Sequence, residues 1–163
     1  MRIKNIIESA AKLLGMTDSG SNFDVLLQCA NLVATNIASS YLELVAKQTF
    51  TVTNGRIRLT KFRRAFLRVK NISTRFYRLF TDRVEIPNGR VTVEYAYVPR
   101  FRTGNERNPF PTLGDDGLAY GIAAEYSFIT GMFSEAQVWN RRLEELLFSA
   151  RPKRATIPAQ VWK

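Results

Sequence analysis

Histidine is missing from the chain altogether, and cysteine occurs once, at position 29. The first absence removes the Ser-His-Asp triad, the Cys-His pair and every histidine-based metal site. The second removes an intrachain disulfide, CxxC redox chemistry and thiolate zinc sites, and it fits synthesis in a reducing compartment. No stretch approaches the ~20 apolar residues of a membrane span. Glu8 and Lys12 interrupt the apolar residues of "MRIKNIIESAAKLLG" (1–15), so this segment does not read as a secretory signal. There is no GxxxxGK[ST] phosphate loop, and "GDDGLAYG" (114–121) is not GxGxxG. The carboxylate pairs Asp115-Asp116 and Glu144-Glu145 are adjacent on expected helices, where neighbours do not face one another. They read as helix-end and solvated-face residues. The sequon Asn71-Ile72-Ser73 carries nothing without a secretory signal. The expectation is a chain with no catalytic, cofactor-binding or metal-ligating residues, not an enzyme, and with no membrane partner.

What is abundant is positive charge. The 163 residues carry a net +10. "RIRLTKFRRAFLRVK" (56–70) holds seven basic residues and no acid, "STRFYRLFTDR" (73–83) adds three, and "RPKRATIPAQVWK" (151–163) is basic again. Acids concentrate in the helical segments, at Glu125, Glu135, Glu144 and Glu145. Such patches favour DNA, RNA, an anionic surface or an acidic protein. Arg56, Arg58, Lys61, Arg63, Arg64, Arg68 and Lys70 are therefore candidate contacts for DNA or an acidic partner, with a solvated sheet face as the plain alternative. Phe62, Phe66, Phe76, Tyr77 and Phe80 interleave with them. Stacking on single-stranded bases is one use for these rings; inward-facing strand positions are the expected one.

The spacing of Ile3, Ile6, Ile7, Ala10, Leu13 and Leu14 predicts a helix over 2–14, with Gly15 as its stop. Ser21 and Asp24 resemble a capping box. The apolar spacing that follows predicts one long helix over 22–47, roughly 40 Å in length. Strand chemistry begins at Thr49. Asn54-Gly55 and Asn88-Gly89 each predict a two-residue hairpin turn of type I′, within an antiparallel sheet of about five strands. Alternation in "RVTVEYAYV" (90–98) puts Val91, Val93, Tyr95 and Tyr97 on one face and Thr92, Glu94, Ala96 and Val98 on the other. A Pro/Gly/Asn-rich loop covers 99–116. Helix resumes near Asp116 and stops at Gly131, and Ser134 with Gln137 opens a last helix to about Ser149. The fold class is α+β: a single domain over 1–150, with a helical scaffold (1–47 and 116–150), an inserted β region (49–99), and an extended tail over 151–163.

The segment "GIAAEYSFITGMFSEAQVW" (121–139) asks what an aromatic, Ala-rich helix is for in a chain without catalytic residues. Tyr120, Ala123, Ala124, Phe128 and Val138 sit at helical spacing and read as core. Gly121, Ala123 and Ala124 allow close helix approach in an αα-hairpin packed on the second helix. Any interface would use the remaining faces.

The order of parts, together with "VTVEYAYVP" (91–99) and "AAEYSFITGMFSEAQVW" (123–139), resembles the head–tail connector (adaptor, or head completion) proteins of tailed bacteriophages over nearly the whole chain. The resemblance implies a structural virion protein made in the host bacterial cytoplasm and placed at the head–tail interface. It implies a homo-oligomeric ring, typically a dodecamer, below the portal protein. The ring would offer a platform to a tail-side connector or tail protein and let packaged double-stranded DNA pass through its channel. In the tail, Pro152 and Pro158 disfavour helix. Arg151, Lys153 and Arg154 suit an acidic surface, and Val161 and Trp162 make an apolar anchor. These five are the expected contacts to a neighbouring subunit or the portal, against the alternative that Trp162 covers the chain's own core. The rival readings of the whole chain are a monomeric, sequence-independent double-stranded DNA-binding module and an enzyme accessory subunit.

Overall fold

The computed structural model describes residues 1–17 and 20–150. Two helices, α1 (Ile3–Leu13) and α2 (Phe23–Ser40), precede six strands: β1 (Leu44–Val52), β2 (Arg56–Arg58), β3 (Ala65–Ile72), β4 (Arg78–Leu79), β5 (Arg83–Glu85) and β6 (Gly89–Val98). A 3-10 turn (Leu59–Lys61) follows β2, and helices α3 (Gly114–Ile129) and α4 (Phe133–Ala150) close the described chain. The class is α+β. The strands form two antiparallel sheets of three, ordered β1-β6-β3 and β2-β5-β4, in place of the one sheet of about five strands expected.

Two glycines end helices as the sequence predicts. Gly15 has φ +69 and Gly131 φ +80. After α1, Gly15 N–H donates to Lys12 O and Met16 N–H to Ala11 O; after α3, Gly131 N–H donates to Phe128 O and Met132 N–H to Ser127 O. Both are Schellman closures, which need a left-handed residue at that point. The expected capping box at Ser21 and Asp24 does not form. Asn22 is the N-cap, without a side-chain cap bond, so Ser21 falls outside the helix. The last helix starts at Phe133, which leaves Ser134 inside its first turn.

The second helix is shorter than expected. It ends at Ser40, and the chain that follows enters β1. The reason is non-local. Leu44 to Val52 pairs with β6 over nine residues, from Leu44 opposite Tyr97 to Val52 opposite Gly89. Alternate residues of β1, including Leu44, Ala46, Phe50 and Val52, then face the β core, while Val45 turns outward. Helical spacing and a period of two overlap in this stretch, and the ladder with β6 selects the second.

Neither Asn-Gly pair makes the predicted hairpin. β1 pairs with β6 and not with β2, and β5 pairs with β2 and not with β6. Gly55 and Gly89 have positive φ, but among the described residues only glycines do, so Asn54 and Asn88 lack the conformation that a type I′ turn requires. Each pair is a corner where the chain changes sheets. The two corners meet: Gly55 N–H donates to Asn88 Oδ1 at 2.7 Å, and Ile86 N–H to Gly55 O at 2.9 Å.

The sheets close over an aromatic core. Phe62 lies at its centre, with ring centroids 5.0 Å from Phe50, 5.0 Å from Phe66 and 4.6 Å from Tyr95. Val91, Val93, Tyr95 and Tyr97 face this core, as their alternation predicts; Ile57 and Val84 of the second sheet meet them, with Ile86 just beyond β5. A helical core holds α1, α2 and α3, with Leu143 and Leu147 of α4 and Phe101, Phe110 and Leu113 of the intervening loop. Leu44 packs against both cores, and Val98, on the other face of β6, packs against the helical one.

The loop before α3 is tied down by the helices. Asn31 Nδ2 donates to Phe101 O at 2.9 Å, while Phe101 N–H donates back to Asn31 Oδ1 at 2.7 Å. Ile3 N–H donates to Glu106 O and Lys4 N–H to Gly104 O, so loop carbonyls satisfy the start of α1. Burial pushes the Glu106 carboxyl up, but backbone N–H groups, Arg102 foremost, outweigh it and hold the group below its ordinary value.

Candidate interaction surfaces

The basic run does not form one patch. Arg68 Nε donates to Glu43 Oε1 at 2.8 Å, and Lys70 Nζ lies 2.6 Å from Glu43 Oε2. The Lys70 contact and the Arg68 guanidinium hold the Glu43 carboxyl below its ordinary value. Arg64 Nη1 donates to Tyr97 Oη at 2.9 Å, with its guanidinium 4.5 Å from the ring centroid. Three of the seven candidates are thus engaged within the chain. Arg63 is exposed, and its backbone N–H donates to Gln48 Oε1.

Arg56, Arg58 and Lys61 are different. They line a depression of about 530 Å³ together with residues 48 and 50–54 of β1 and its exit. None of the three makes an ion pair among the described residues. Strand register puts Arg56, Glu85 and Arg78 in one cross-strand row and Arg58 and Arg83 in the next. Arg83 is taken by Asp82 and Glu85, at 3.0 and 3.1 Å. The small sheet therefore presents an arginine-rich face on which Arg56, Arg58 and Arg78 have no ion-pair partner among the described residues, a surface suited to a polyanion.

The aromatic residues divide. Phe62 is buried and Phe66 half-buried against the same core, as expected, but Phe76, Tyr77 and Phe80 are exposed, Phe76 by 77%. They lie where the short β4 meets only β5, and a two-residue strand gives too little sheet to cover them. Phe80 is faced by the Arg83 guanidinium at 4.4 Å. Arg75 and Arg78 flank Phe76 and Tyr77 and are exposed. The sequence signal for this tip was the density of Arg and aromatic residues over 75–80, with no β-branched residue among those six.

The helical hairpin also departs from the core reading. Ala123 is buried and Gly121 approaches Val33 closely, but Phe128 is 60% and Val138 53% exposed. Phe128, Ile129, Met132 and Phe133 crowd the turn between α3 and α4, the two phenylalanine rings 5.7 Å apart. Ala124, Glu125, Phe128, Phe133, Ala136, Gln137 and Asn140 line a depression of about 270 Å³ beside that turn. A second of about 250 Å³ shares Ala124, Glu125 and Asn140 and runs on to Leu32, Tyr41, Glu144 and Leu147. The two make one trough, apolar in its floor, with Glu125 and Glu144 as its charged residues. Cys29 is buried nearby; burial and then the Glu125 charge push its thiol up to about 11.

The tail candidates Arg151, Lys153, Arg154, Val161 and Trp162 lie outside the described residues. Among the described residues no group of three or more acidic or cysteine side chains is arranged to hold a metal ion, and no helix is long and apolar enough to cross a membrane. No protein-family model matches the chain, and no curated protein matches it.

Proposed function

We propose that the chain is a head–tail connector adaptor, a structural virion protein that assembles as a ring below the portal, extends the DNA channel and carries the tail-side protein. The observation that supports it best is the exposed apolar surface at the α3–α4 turn, built by Phe128, Ile129, Met132 and Phe133 inside the segment that carries the family resemblance. A chain that works alone rarely leaves such a contiguous patch to water. A ring subunit buries it against a neighbour. The arginine-rich face of the small sheet suits passing DNA or an acidic partner, and the segment 151–163 is assigned to a neighbouring subunit or the portal. The test is the composition and reconstruction of particles from a phage encoding the chain. The chain is expected as a ring at the portal vertex, and its absence from particles overturns the reading.

A second reading rests on Arg56, Arg58 and Lys61 around one groove: a monomeric module that binds double-stranded DNA without sequence preference. It is favoured if the chain binds duplexes tightly, stays monomeric with the portal protein and is missing from particles.

A further inference from the structure

We infer that the aromatic tip of one copy, Arg75, Phe76, Tyr77 and Arg78, seats in the α3–α4 trough of the next copy. The inference rests on the ring reading and names the faces that would meet. The tip is a large apolar side chain held out in water between two guanidiniums that make no ion pair among the described residues. The trough is the converse: an apolar floor between Phe128 and Phe133, with Glu125 and Glu144 as its charged lining. At about 270 Å³ the part beside the turn is smaller than typical drug-sized ligand sites, which run about 300–1,000 Å³, and suits a side chain.

Charge decides which face meets which. Two tips brought together oppose arginine to arginine, and two troughs oppose glutamate to glutamate. Tip against trough joins aromatic to aromatic and guanidinium to carboxylate, the arrangement that steers association and rejects the wrong pairing. Tip and trough belong to different layers, one on the small sheet and one on the helices, so a chain offers one of each. The contact is therefore heterologous, and a heterologous contact repeats head to tail and closes into a ring when its rotation allows.

The experiment uses two charge-reversed full-length chains, Arg75→Glu with Arg78→Glu and Glu125→Lys with Glu144→Lys, followed by sedimentation. Each alone is expected to self-associate at least about tenfold more weakly than wild type. Their equimolar mixture is expected to recover association, because it offers an unaltered tip to an unaltered trough and a reversed tip to a reversed trough. Trapping gives a second measurement. Phe76→Cys with Gln137→Cys in one chain should yield a ladder of disulfide-linked oligomers on oxidation, with buried Cys29 excluded. Unchanged association of either reversed chain, a mixture that stays monomeric, or a wild-type chain still monomeric at about 1 mM with no ladder each overturns the contact. Particles that carry the ring when built with either reversed chain alone would sink the contact and leave the ring reading standing; absence of the wild-type chain from particles would sink the ring reading itself.

Discussion

Glu43 shows how one residue redistributes the chain's charge. It stands just before β1, where it takes both Arg68 and Lys70 out of the basic surface. Its folded carboxyl is lowered, so its contribution to stability is complete above the ordinary value of 4.5 and is lost as pH falls through the lowered one. Arg68 and Lys70 are 56% and 40% exposed, so solvent screens the pair and the effect stays within about 1 kcal/mol. Glu43→Gln is expected to flatten the acid limb of the stability curve. Urea midpoints measured between about pH 6 and about pH 3 should fall less steeply in the variant than in wild type. Identical slopes would show that the pair contributes nothing. Asn31 is the opposite kind of residue, neutral and structural, with both ends of its amide spent on Phe101.

Among the elements, α3 has the most demanding position, since it packs on α1, α2 and α4 together. Gly121 makes the α2 contact possible. A Cβ there would stand 2.5 Å from Val33 Cγ1 and 3.3 Å from Leu143 Cδ2. Val33 is β-branched and nearly buried, so it has little freedom to give way. Gly121→Ala is expected to destabilise the fold by about 1–3 kcal/mol in spite of alanine's better helix propensity. Val33→Ala in the same chain should recover part of the loss, a coupling that a double-mutant cycle reads directly. A Gly121→Ala chain as stable as wild type would mean that the helices separate freely at this point. The strands are held differently, by corners: Gly55 and Asn88 join the two places where the chain changes sheets.

At the scale of the molecule, the division of the basic run makes DNA binding predictable. Affinity for duplex DNA should be independent of sequence and fall with salt, because neutralised phosphates release counterions. Replacing Arg56, Arg58 and Lys61 by Gln should reduce the slope of log affinity against log salt by about 0.9 for each phosphate that is no longer neutralised. Arg68→Gln with Lys70→Gln should change it little, since Glu43 already holds both. Equal effects from the two sets, measured by fluorescence anisotropy over a salt series, would show that the run acts as one patch after all. The two hydrophobic cores, joined at Leu44 and across β6, carry the two surfaces on different layers: the arginine face and aromatic tip on the small sheet, the apolar trough on the helices.

What the sequence determined by itself is what depends on near neighbours along the chain. Gly15 and Gly131 end their helices because a left-handed residue is needed at that point. The alternation of 90–98 assigns the faces of β6 because the side-chain period of a strand is two. The α+β class follows from the same periods. What only the tertiary structure decided is partnership. Asn54-Gly55 marks a reversal locally, but a corner between sheets satisfies it as well as a hairpin does, and the choice rests on β6 arriving from more than thirty residues away to claim β1. Residues 44–47 carry helical and strand patterns at once, and that same pairing selects between them. Phe62 and Phe76 belong to the same run of basic and aromatic residues, yet one is the centre of a core and the other stands in water. Composition treats them alike; burial is settled by which strands are long enough to cover a ring, and β4, with two residues, is not.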